Sequence, residues 1–160
     1  MLEIERKYLV NEKWHAPESG GKYYRQGYLA ENGATTRVRI ISGRDGINDK
    51  HAYLTIKGKT IGITRAEFEY EIPVDDAEQM LKMSLYPPIE KIRYKVIIGG
   101  KIWEVDEFLG AHKGLIVAEI ELKDEKEQFE IPEWVGMDVS MDRRYSNASL
   151  SRNGRILTCN

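Results

Sequence analysis

The sequence predicts an α+β protein whose eight antiparallel strands close into a β-barrel, with a few short helices packed outside. The first observation is a period of two: apolar and polar residues alternate along eight segments, as in strands with two different faces. These segments are residues 2–10, 22–31, 34–42, 51–58, 64–73, 89–98, 101–109 and 115–123. The second observation is the pair of turn signals Asn32-Gly33 and Gly99-Gly100, which suit tight hairpins. Many strands with hairpin connections in a short chain favour a closed or nearly closed barrel.

Helical signals occur at two places outside the strands. Residues 75–83 combine Asp75 near their start with apolar residues three and four apart, and Pro87-Pro88 follows them. A second short helix is expected at residues 146–152. The 160 residues contain no internal repeat, low-complexity segment or linker, and a chain of that length fits one domain. We therefore expect residues 1–160 to form a single domain.

Composition and charge exclude several classes of function. The net charge is −2 at pH 7 and no basic run occurs, so nothing indicates nucleic-acid binding. No stretch approaches the roughly 20 apolar residues of a membrane-spanning helix, and residues 1–5 are acidic where a signal peptide would be basic. The one cysteine, Cys159, has no partner for a disulfide. We therefore expect a cytoplasmic protein that binds neither nucleic acid nor a membrane.

Each predicted strand carries charged residues on one face and apolar residues on the other, and most charged faces have one sign. The acidic faces carry Glu67, Glu69, Glu71, Glu104, Asp106, Glu119 and Glu121, and the basic faces carry Arg37, Arg39, Lys57, Lys91, Arg93 and Lys95. An antiparallel sheet with one solvated face is the simpler interpretation. However, like charges about 7 Å apart along a strand repel one another, and a merely soluble surface intersperses the two signs. The pattern therefore favours a barrel with a charged interior, whose apolar outer faces must be covered by helices or by a partner subunit.

Separate acidic and basic walls have a clear chemical use. Clustered carboxylates are the ligands that hard divalent cations such as Mg²⁺ or Mn²⁺ prefer. Clustered arginines and lysines neutralise phosphate oxygens, and arginine offers a planar fork that matches them. A ligand that needs both walls is a metal-bound polyphosphate chain. The charge pattern does not choose among phosphate compounds.

The N-terminal residues resemble the signature of a known family. Glu3-Ile4-Glu5-Arg6-Lys7 is similar to the ExExK motif of the CYTH superfamily, the triphosphate tunnel metalloenzymes. The resemblance continues in the same order along almost the whole chain, through residues 37–39, 54–57, 67–71, 90–94, 103–106, 119–121 and 142–147. It is closest to the short bacterial single-domain members. The resemblance implies an eight-stranded tunnel, often dimeric, that hydrolyses tripolyphosphate or nucleoside triphosphates with Mg²⁺ or Mn²⁺, so a homodimer is one expected assembly.

The resemblance also implies roles for individual residues. The expected metal ligands are Glu3, Glu5, Glu67, Glu69, Asp106, Glu119 and Glu121. The expected phosphate-binding residues are Lys7, Arg37, Arg39, Lys57, Arg65, Lys91 and Arg93. Glu5, Lys7, Arg39 and Lys57 are the expected catalytic residues, and Lys57 or Arg39 would stabilise the leaving phosphate. Gln26-Gly27-Tyr28-Leu29 also resembles the family, and Tyr28 is either a contact of a C-terminal helix that lids the tunnel or a packed hairpin residue.

The expected reaction is in-line attack of water on a terminal phosphoryl group, aided by two metal ions. Three alternatives stay open: an adenylate cyclase in the same tunnel, a thiamine triphosphatase, and a module that binds polyphosphate without cleaving it. No Gly-rich phosphate loop is present, which argues against a P-loop enzyme. The three histidines, His15, His51 and His112, form no constellation and are expected to be exposed to solvent. The three tryptophans are expected to pack in the core rather than stack on a base.

Overall fold

A computed structural model describes residues 1–153 of the chain; the last seven residues of the expected domain, including Cys159, lie outside the described residues. The strands are β1 (Leu2–Val10), β2 (Lys22–Ala30), β3 (Thr35–Gly43), β4 (His51–Lys57), β5 (Thr64–Ile72), β6 (Ile89–Ile98), β7 (Lys101–Phe108), β8 (Ile116–Glu121) and β9 (Val135–Asp138). The helices are α1 (Val74–Leu81) and α2 (Asn147–Asn153), and single 3₁₀ turns occur at Gly110–His112 and Arg143–Tyr145. Both predicted helices are therefore present, shifted by a residue or two.

Eight of the strands close into an antiparallel barrel, as predicted. Their order is β5-β4-β3-β2-β6-β7-β8-β1, and β1 returns to β5 through the pairs Leu2–Ala66, Glu3–Arg65 and Ile4–Thr64. The ninth strand, β9, was not predicted and pairs with β1 outside the closed ring. The hairpin between β6 and β7 turns at Gly99 and Gly100, which have φ values of 57° and 76° and so use the left-handed region open to glycine.

The strand register brings the charged faces to the inside of the barrel. Arg37 of β3 lies opposite Thr55 of β4, which lies opposite Glu69 of β5. On the other side of the barrel, Lys7 lies opposite Glu119, which lies opposite Glu104. Because side chains alternate between the two faces of a strand, residues two positions before or after these inward-facing residues also point inward.

Two apolar clusters lie on opposite sides of the outer surface of the barrel. Helix α1 places Ala77 and Leu81 over Val38 and Ile40 of β3. On the opposite side, Trp103 lies under a cover made by the segments around β9, and its cluster contains Tyr8, Trp14, Val105, Ala118, Ile120, Leu122, Phe129, Trp134 and Val135. The prediction that the tryptophans pack in the core is confirmed. Among the outward residues left uncovered are Ile56, Phe68 and Tyr70, with exposed fractions of 38%, 47% and 58%.

A third apolar cluster fills one end of the barrel interior. Ile89 begins β6, Phe108 ends β7 and Val117 is near the start of β8, and all three pack with Leu150 of α2. These strand ends lie at the same end of the barrel because neighbouring strands run antiparallel. Helix α2 therefore plugs this end with an apolar side chain, and the charged part of the interior lies above the plug.

His112 belongs to this plugged end and is buried, so the prediction that it is exposed is wrong. Its Nε2 lies 2.8 Å from the carbonyl oxygen of Leu150 and donates to it. The last carbonyls of a helix have no partner within the helix, and His112 supplies one for α2. His15 and His51 are exposed, as predicted. Among the described residues, no helix has the length and apolar character needed to cross a membrane.

Candidate active site

The barrel interior contains a cavity of about 1040 Å³. Of the fourteen residues expected to bind metal or phosphate or to act in catalysis, twelve line it, namely Glu3, Glu5, Lys7, Arg37, Arg39, Lys57, Arg65, Glu67, Glu69, Arg93, Glu119 and Glu121. Two do not: Lys91 and Asp106 are buried in the wall, with exposed fractions of 0% and 1%. The structure therefore brings both charged walls to one cavity, except for one ion pair that lies behind its surface.

The acidic part of the cavity is built by β1 and β8. Burial and the neighbouring charges of Glu119 and Glu3 raise the pKa of Glu5 well above its usual value. Burial opposes ionisation of Glu3 too, but Lys57 and a hydrogen bond with Glu5 outweigh it, and the pKa of Glu3 is lowered. Oε2 of Glu3 is buried and accepts no hydrogen bond from any residue that the structure describes. Like charges held this close, with an unused oxygen, form an arrangement that a cation stabilises.

These carboxylates suit a hard divalent ion by their chemistry, although the chain's own cations also contact them. Lys57 Nζ lies 3.7 Å from Glu3 Oε2, and Lys7 Nζ lies 3.5 Å from Glu119 Oε1. Within residues 1–153, no three His, Cys, Asp or Glu side chains stand together as a preformed ligand set. Binding an ion here would therefore require small movements of the glutamates away from the two lysines.

Lys7 connects the acidic wall to the C-terminal segment. Its Nζ donates to the carbonyl oxygen of Tyr145 at 3.2 Å. Burial opposes the charge of Lys7, but Glu119 and Glu5 outweigh it and raise its pKa. The ammonium group therefore stays charged at the edge of the cavity.

The basic wall on β3 contains two buried guanidinium groups. Arg39 is 8% exposed and has no acidic partner among the described residues, and its Nε donates to Gln26 Oε1 at 2.7 Å. Burial, together with the charges of Arg37 and Arg93, lowers the pKa of Arg39 to about 10. Arg37 donates to Thr55 Oγ1 at 3.1 Å and its Nη2 lies 3.7 Å from Glu69 Oε2, while its buried Nε has no acceptor in the described part of the chain. This wall thus offers buried positive charge and an unused donor to an anion.

Lys57 and Arg65 extend the basic wall toward the glutamates of β1 and β5. Lys57 Nζ lies between Glu3 Oε2 at 3.7 Å and Glu67 Oε2 at 3.5 Å. Burial and the charge of Arg37 lower the pKa of Lys57 to about 7. The guanidinium group of Arg65 donates to Thr60 Oγ1 at 3.4 Å. Both side chains therefore stand where the acidic and basic walls meet.

The cations of β6 form a separate, closely paired network. Asp106 accepts from Arg93 Nε at 2.6 Å and Nη2 at 2.8 Å, and from Lys91 Nζ at 2.7 Å. Arg93 also donates to Glu104 at 3.0 Å, and burial lowers the pKa of Lys91 to about 7. Lys91 and Asp106, which are expected site residues, bind each other, Asp106 also binds Arg93, and Lys91 donates to Asn147 Oδ1 at 3.2 Å.

Two residues of the site were assigned no role from the sequence, and the C-terminal segment was expected at the tunnel only as one alternative for Tyr28. Gln26 is fully buried, holds Arg39 and leaves its Nε2 without an acceptor among the described residues. Tyr24 places its ring under the guanidinium groups of Arg39 and Arg93, at 5.0 and 4.9 Å. Residues 139–143 and parts of α2 also line the cavity. Gln26 and Tyr24 share the inward face of β2 with Tyr28, so the alternation of that strand contains the signal.

Known proteins with similar sequences and structures are consistent with this geometry. The sequence model of the CYTH domain matches residues 1–152. A protein of Acetivibrio thermocellus named inorganic triphosphatase is 46% identical over 153 residues, which is 94% of each chain. Another of that name, from Nitrosomonas europaea, is 32% identical over 94% of this chain and 97% of its own. A solved crystal structure of an inorganic triphosphatase matches with a TM-score of 0.64 at 29% identity, over 93% of each chain.

Proposed function

Since the chain belongs to the CYTH domain family, we propose that it is a divalent-metal-dependent triphosphatase whose first substrate is inorganic tripolyphosphate. The observation that carries this proposal is Arg39, a buried guanidinium group without a carboxylate partner in residues 1–153. A buried charge is costly unless it is paired, so the wall around Arg39 is built for an anion that arrives from outside. The names of the two relatives supply the class of that anion.

The phosphate chain would lie between the basic wall and the acidic wall. Arg37 and Arg39 donate from one side, and Lys7 and Lys57 from the other, with Arg65 and Arg93 at the edges. Each cation takes up part of the charge on the phosphate oxygens, and charge-assisted hydrogen bonds of this kind are stronger than neutral ones. In this arrangement Lys91 and Asp106 act through Arg93, which they hold in place, and contact no substrate.

Glu3, Glu5 and Glu119 would hold Mg²⁺ or Mn²⁺, and Glu67, Glu69 and Glu121, which line the same cavity, would be additional ligands. A bound ion of this kind supplies Lewis acidity and lowers the pKa of its water. Asp106 is less suited to this role because Arg93 and Lys91 already occupy both of its oxygens.

In the proposed reaction, water attacks a terminal phosphoryl group in line with the leaving phosphate. Arg39 and Lys57 stabilise the charge that develops on the leaving oxygens, because both groups stand in the buried wall where such interactions are strong. Glu5, as part of the acidic wall, would help to position the attacking water. An adenylate cyclase would differ in the attacking group, a thiamine triphosphatase in what is attached to the phosphates, and a non-catalytic module would bind the phosphates without cleaving them. The expected cytoplasmic location and homodimer stay predictions.

Phosphate release from tripolyphosphate, ATP and thiamine triphosphate, each with Mg²⁺, Mn²⁺ or EDTA, tests the proposal. We expect release that EDTA abolishes and that is fastest from tripolyphosphate. Faster release from ATP or from thiamine triphosphate would make that compound the preferred substrate. Absence of release from all three would contradict the proposal that the protein is a triphosphatase.

A Glu5→Gln variant tests the metal part of the proposal. It should lose metal-dependent turnover and Mn²⁺ affinity in a calorimetric titration, while its free energy of unfolding stays at least as high as that of the wild type. Stability should not fall because the substitution removes a carboxylate that its neighbours and burial disfavour. Glu12→Gln, at an exposed position outside the cavity, is the matched control. Unchanged Mn²⁺ binding in Glu5→Gln would remove Glu5 from the ligand set.

A further inference from the structure

The 3₁₀ turn Arg143–Tyr145 is fixed at the edge of the cavity. The side chain of Asp142 caps it by accepting from the backbone N–H of Arg144 at 3.1 Å. Lys7 Nζ binds the carbonyl oxygen of Tyr145 at 3.2 Å, and the side chain of Tyr145 is buried. Just after the turn, Leu150 of α2 is anchored in the apolar plug. A side chain leaving this turn toward the cavity therefore starts from a defined position.

Two consecutive arginines leave the turn in different environments. Arg144 binds the carboxylate of Asp142, with Nη2 to Oδ2 at 2.7 Å, and is not among the residues that line the cavity. Arg143 lines the cavity, and its guanidinium group has no hydrogen bond or ion pair with any residue of the described chain. The chain thus neutralises one arginine and leaves its neighbour available to a ligand in the cavity.

We propose that Arg143 binds the phosphoryl group at the end of the substrate opposite the one that water attacks. This contact makes the site prefer inorganic tripolyphosphate to nucleoside triphosphates. This inference rests on the proposed function. Inorganic tripolyphosphate ends in a charged phosphoryl group on both sides, whereas in a nucleoside triphosphate one end is an ester with less charge. A cation at that second end therefore favours inorganic tripolyphosphate over nucleoside triphosphates, because the phosphate ester of a nucleotide offers the cation fewer charged oxygens.

The position of Arg143 matches this role. Lys7 binds Tyr145, two residues from Arg143, and Lys7 itself faces the acidic wall where the metal-bound phosphates would lie. The other cavity cations named above stand on the strands of the barrel, so Arg143 adds a positive charge from the segment that follows β9. Such a charge reaches the substrate from a direction that the strands do not cover.

The test compares Arg143→Gln with Arg144→Gln, using kcat/KM for tripolyphosphate and for ATP with the preferred metal ion. Loss of one charge-assisted hydrogen bond predicts that Arg143→Gln lowers kcat/KM for tripolyphosphate about tenfold and changes that for ATP less than about twofold. Arg143→Lys should restore part of the preference because it keeps the charge. Arg144→Gln should leave the ratio of the two substrates unchanged.

Equal losses for both substrates in Arg143→Gln, or no loss for either, would overturn the inference. The same variants are titrated calorimetrically with tripolyphosphate and with ATP in EDTA, where Arg143→Gln should weaken only the binding of tripolyphosphate. This binding measurement decides the inference even if the wild-type protein releases no phosphate, a result that would contradict the proposed function by itself.

Discussion

Arg93 and Lys91 of β6 and Arg39 of β3 point into the same barrel but have opposite surroundings. Arg93 and Lys91 share Asp106 at distances of 2.6 to 2.8 Å, and all three side chains are buried. Arg39 on β3 is equally buried and has only the neutral Gln26 and the ring of Tyr24. The chain therefore neutralises Arg93 and Lys91 of β6 with a buried carboxylate, pairs Arg37 of β3 only with the partly exposed Glu69 at 3.7 Å, and leaves Arg39 without a carboxylate among the described residues.

This difference distinguishes buried cations that stabilise the fold from buried cations that bind a ligand. A buried cation with its carboxylate partner is part of the fold, and removing either partner leaves an unpaired charge. A buried cation without such a partner lowers stability and is retained where a ligand supplies the missing charge. On this basis we expect Arg93, Lys91 and Asp106 to hold the wall together and Arg39 of β3 to bind the anion.

Of the substitutions predicted here, Asp106→Asn should have the largest effect, a loss of stability. The amide would leave Lys91 and Arg93 buried without a full counter-charge, which costs about 3–5 kcal/mol. The free energy of unfolding, measured in urea, should fall by that amount. The matched control is Glu104→Gln: its carboxylate is 29% exposed and Arg93 keeps Asp106, so we expect a loss below about 1 kcal/mol. Equal losses in the two variants would break the distinction between the β6 network and ordinary ion pairs.

The strands and their faces were predictable because alternation is a local property of the sequence. The same alternation predicts that Glu3, Arg39 and Glu119 point into the barrel, and the structure places them there. The alignment of Arg93 with Asp106 follows from the predicted hairpin at Gly99 and Gly100, whereas the contact of Lys91 with Asp106 is diagonal and depends on side-chain packing. Strand β9 has four residues without alternation, and its pairing with β1 comes from tertiary contacts.

The plug and His112 were missed for a similar reason. Ile89 and Val117 share faces with charged residues, and only the common end of their strands brings them together with Leu150. His112 follows β7 in a loop by sequence, and its burial depends on helix α2 lying against that loop. Inward-facing residues could thus be identified strand by strand, whereas contacts between distant strands could not.

Gln26→Leu should give an intermediate effect, on activity rather than stability. The leucine removes the acceptor that orients Arg39 Nε, so the guanidinium group loses its fixed position in the basic wall. We expect kcat/KM for tripolyphosphate to fall about tenfold, the equivalent of one ordinary hydrogen bond. Gln26→Glu keeps an acceptor but gives Arg39 a counter-charge, so it should weaken substrate binding as well. Gln128→Leu, on the surface away from the cavity, is the control, and wild-type kinetics in Gln26→Leu would show that Arg39 needs no such support.

Lys57 should give the smallest effect, a change in how stability depends on pH. Its pKa is about 7 in the folded protein and about 10.4 in an unfolded chain, so between these values the unfolded state holds a proton that the folded state lacks. Stability should therefore rise with pH from about 7.5 to about 9, by at most about 1.4 kcal/mol per unit for one group. Lys91 has a similarly lowered pKa and contributes in the same direction.

Lys57→Met should remove the Lys57 share of this slope, which urea unfolding at several pH values would detect. Lys59→Met, at an exposed position two residues away, should keep the wild-type slope. An unchanged slope in Lys57→Met would mean that Lys57 stays fully charged in the folded protein.

The most direct test of the account is the binding of tripolyphosphate to the wild type and to Arg39→Gln, titrated calorimetrically in EDTA at low salt. Arg39 is the buried charge that the chain leaves unpaired, so its removal should weaken binding by at least about tenfold. The free energy of unfolding should not fall, because the glutamine no longer buries a charge. Arg6→Gln, on the outer face of β1, should bind as the wild type does. Equal affinity of Arg39→Gln and the wild type for tripolyphosphate would contradict the claim that the β3 wall exists to hold an anion.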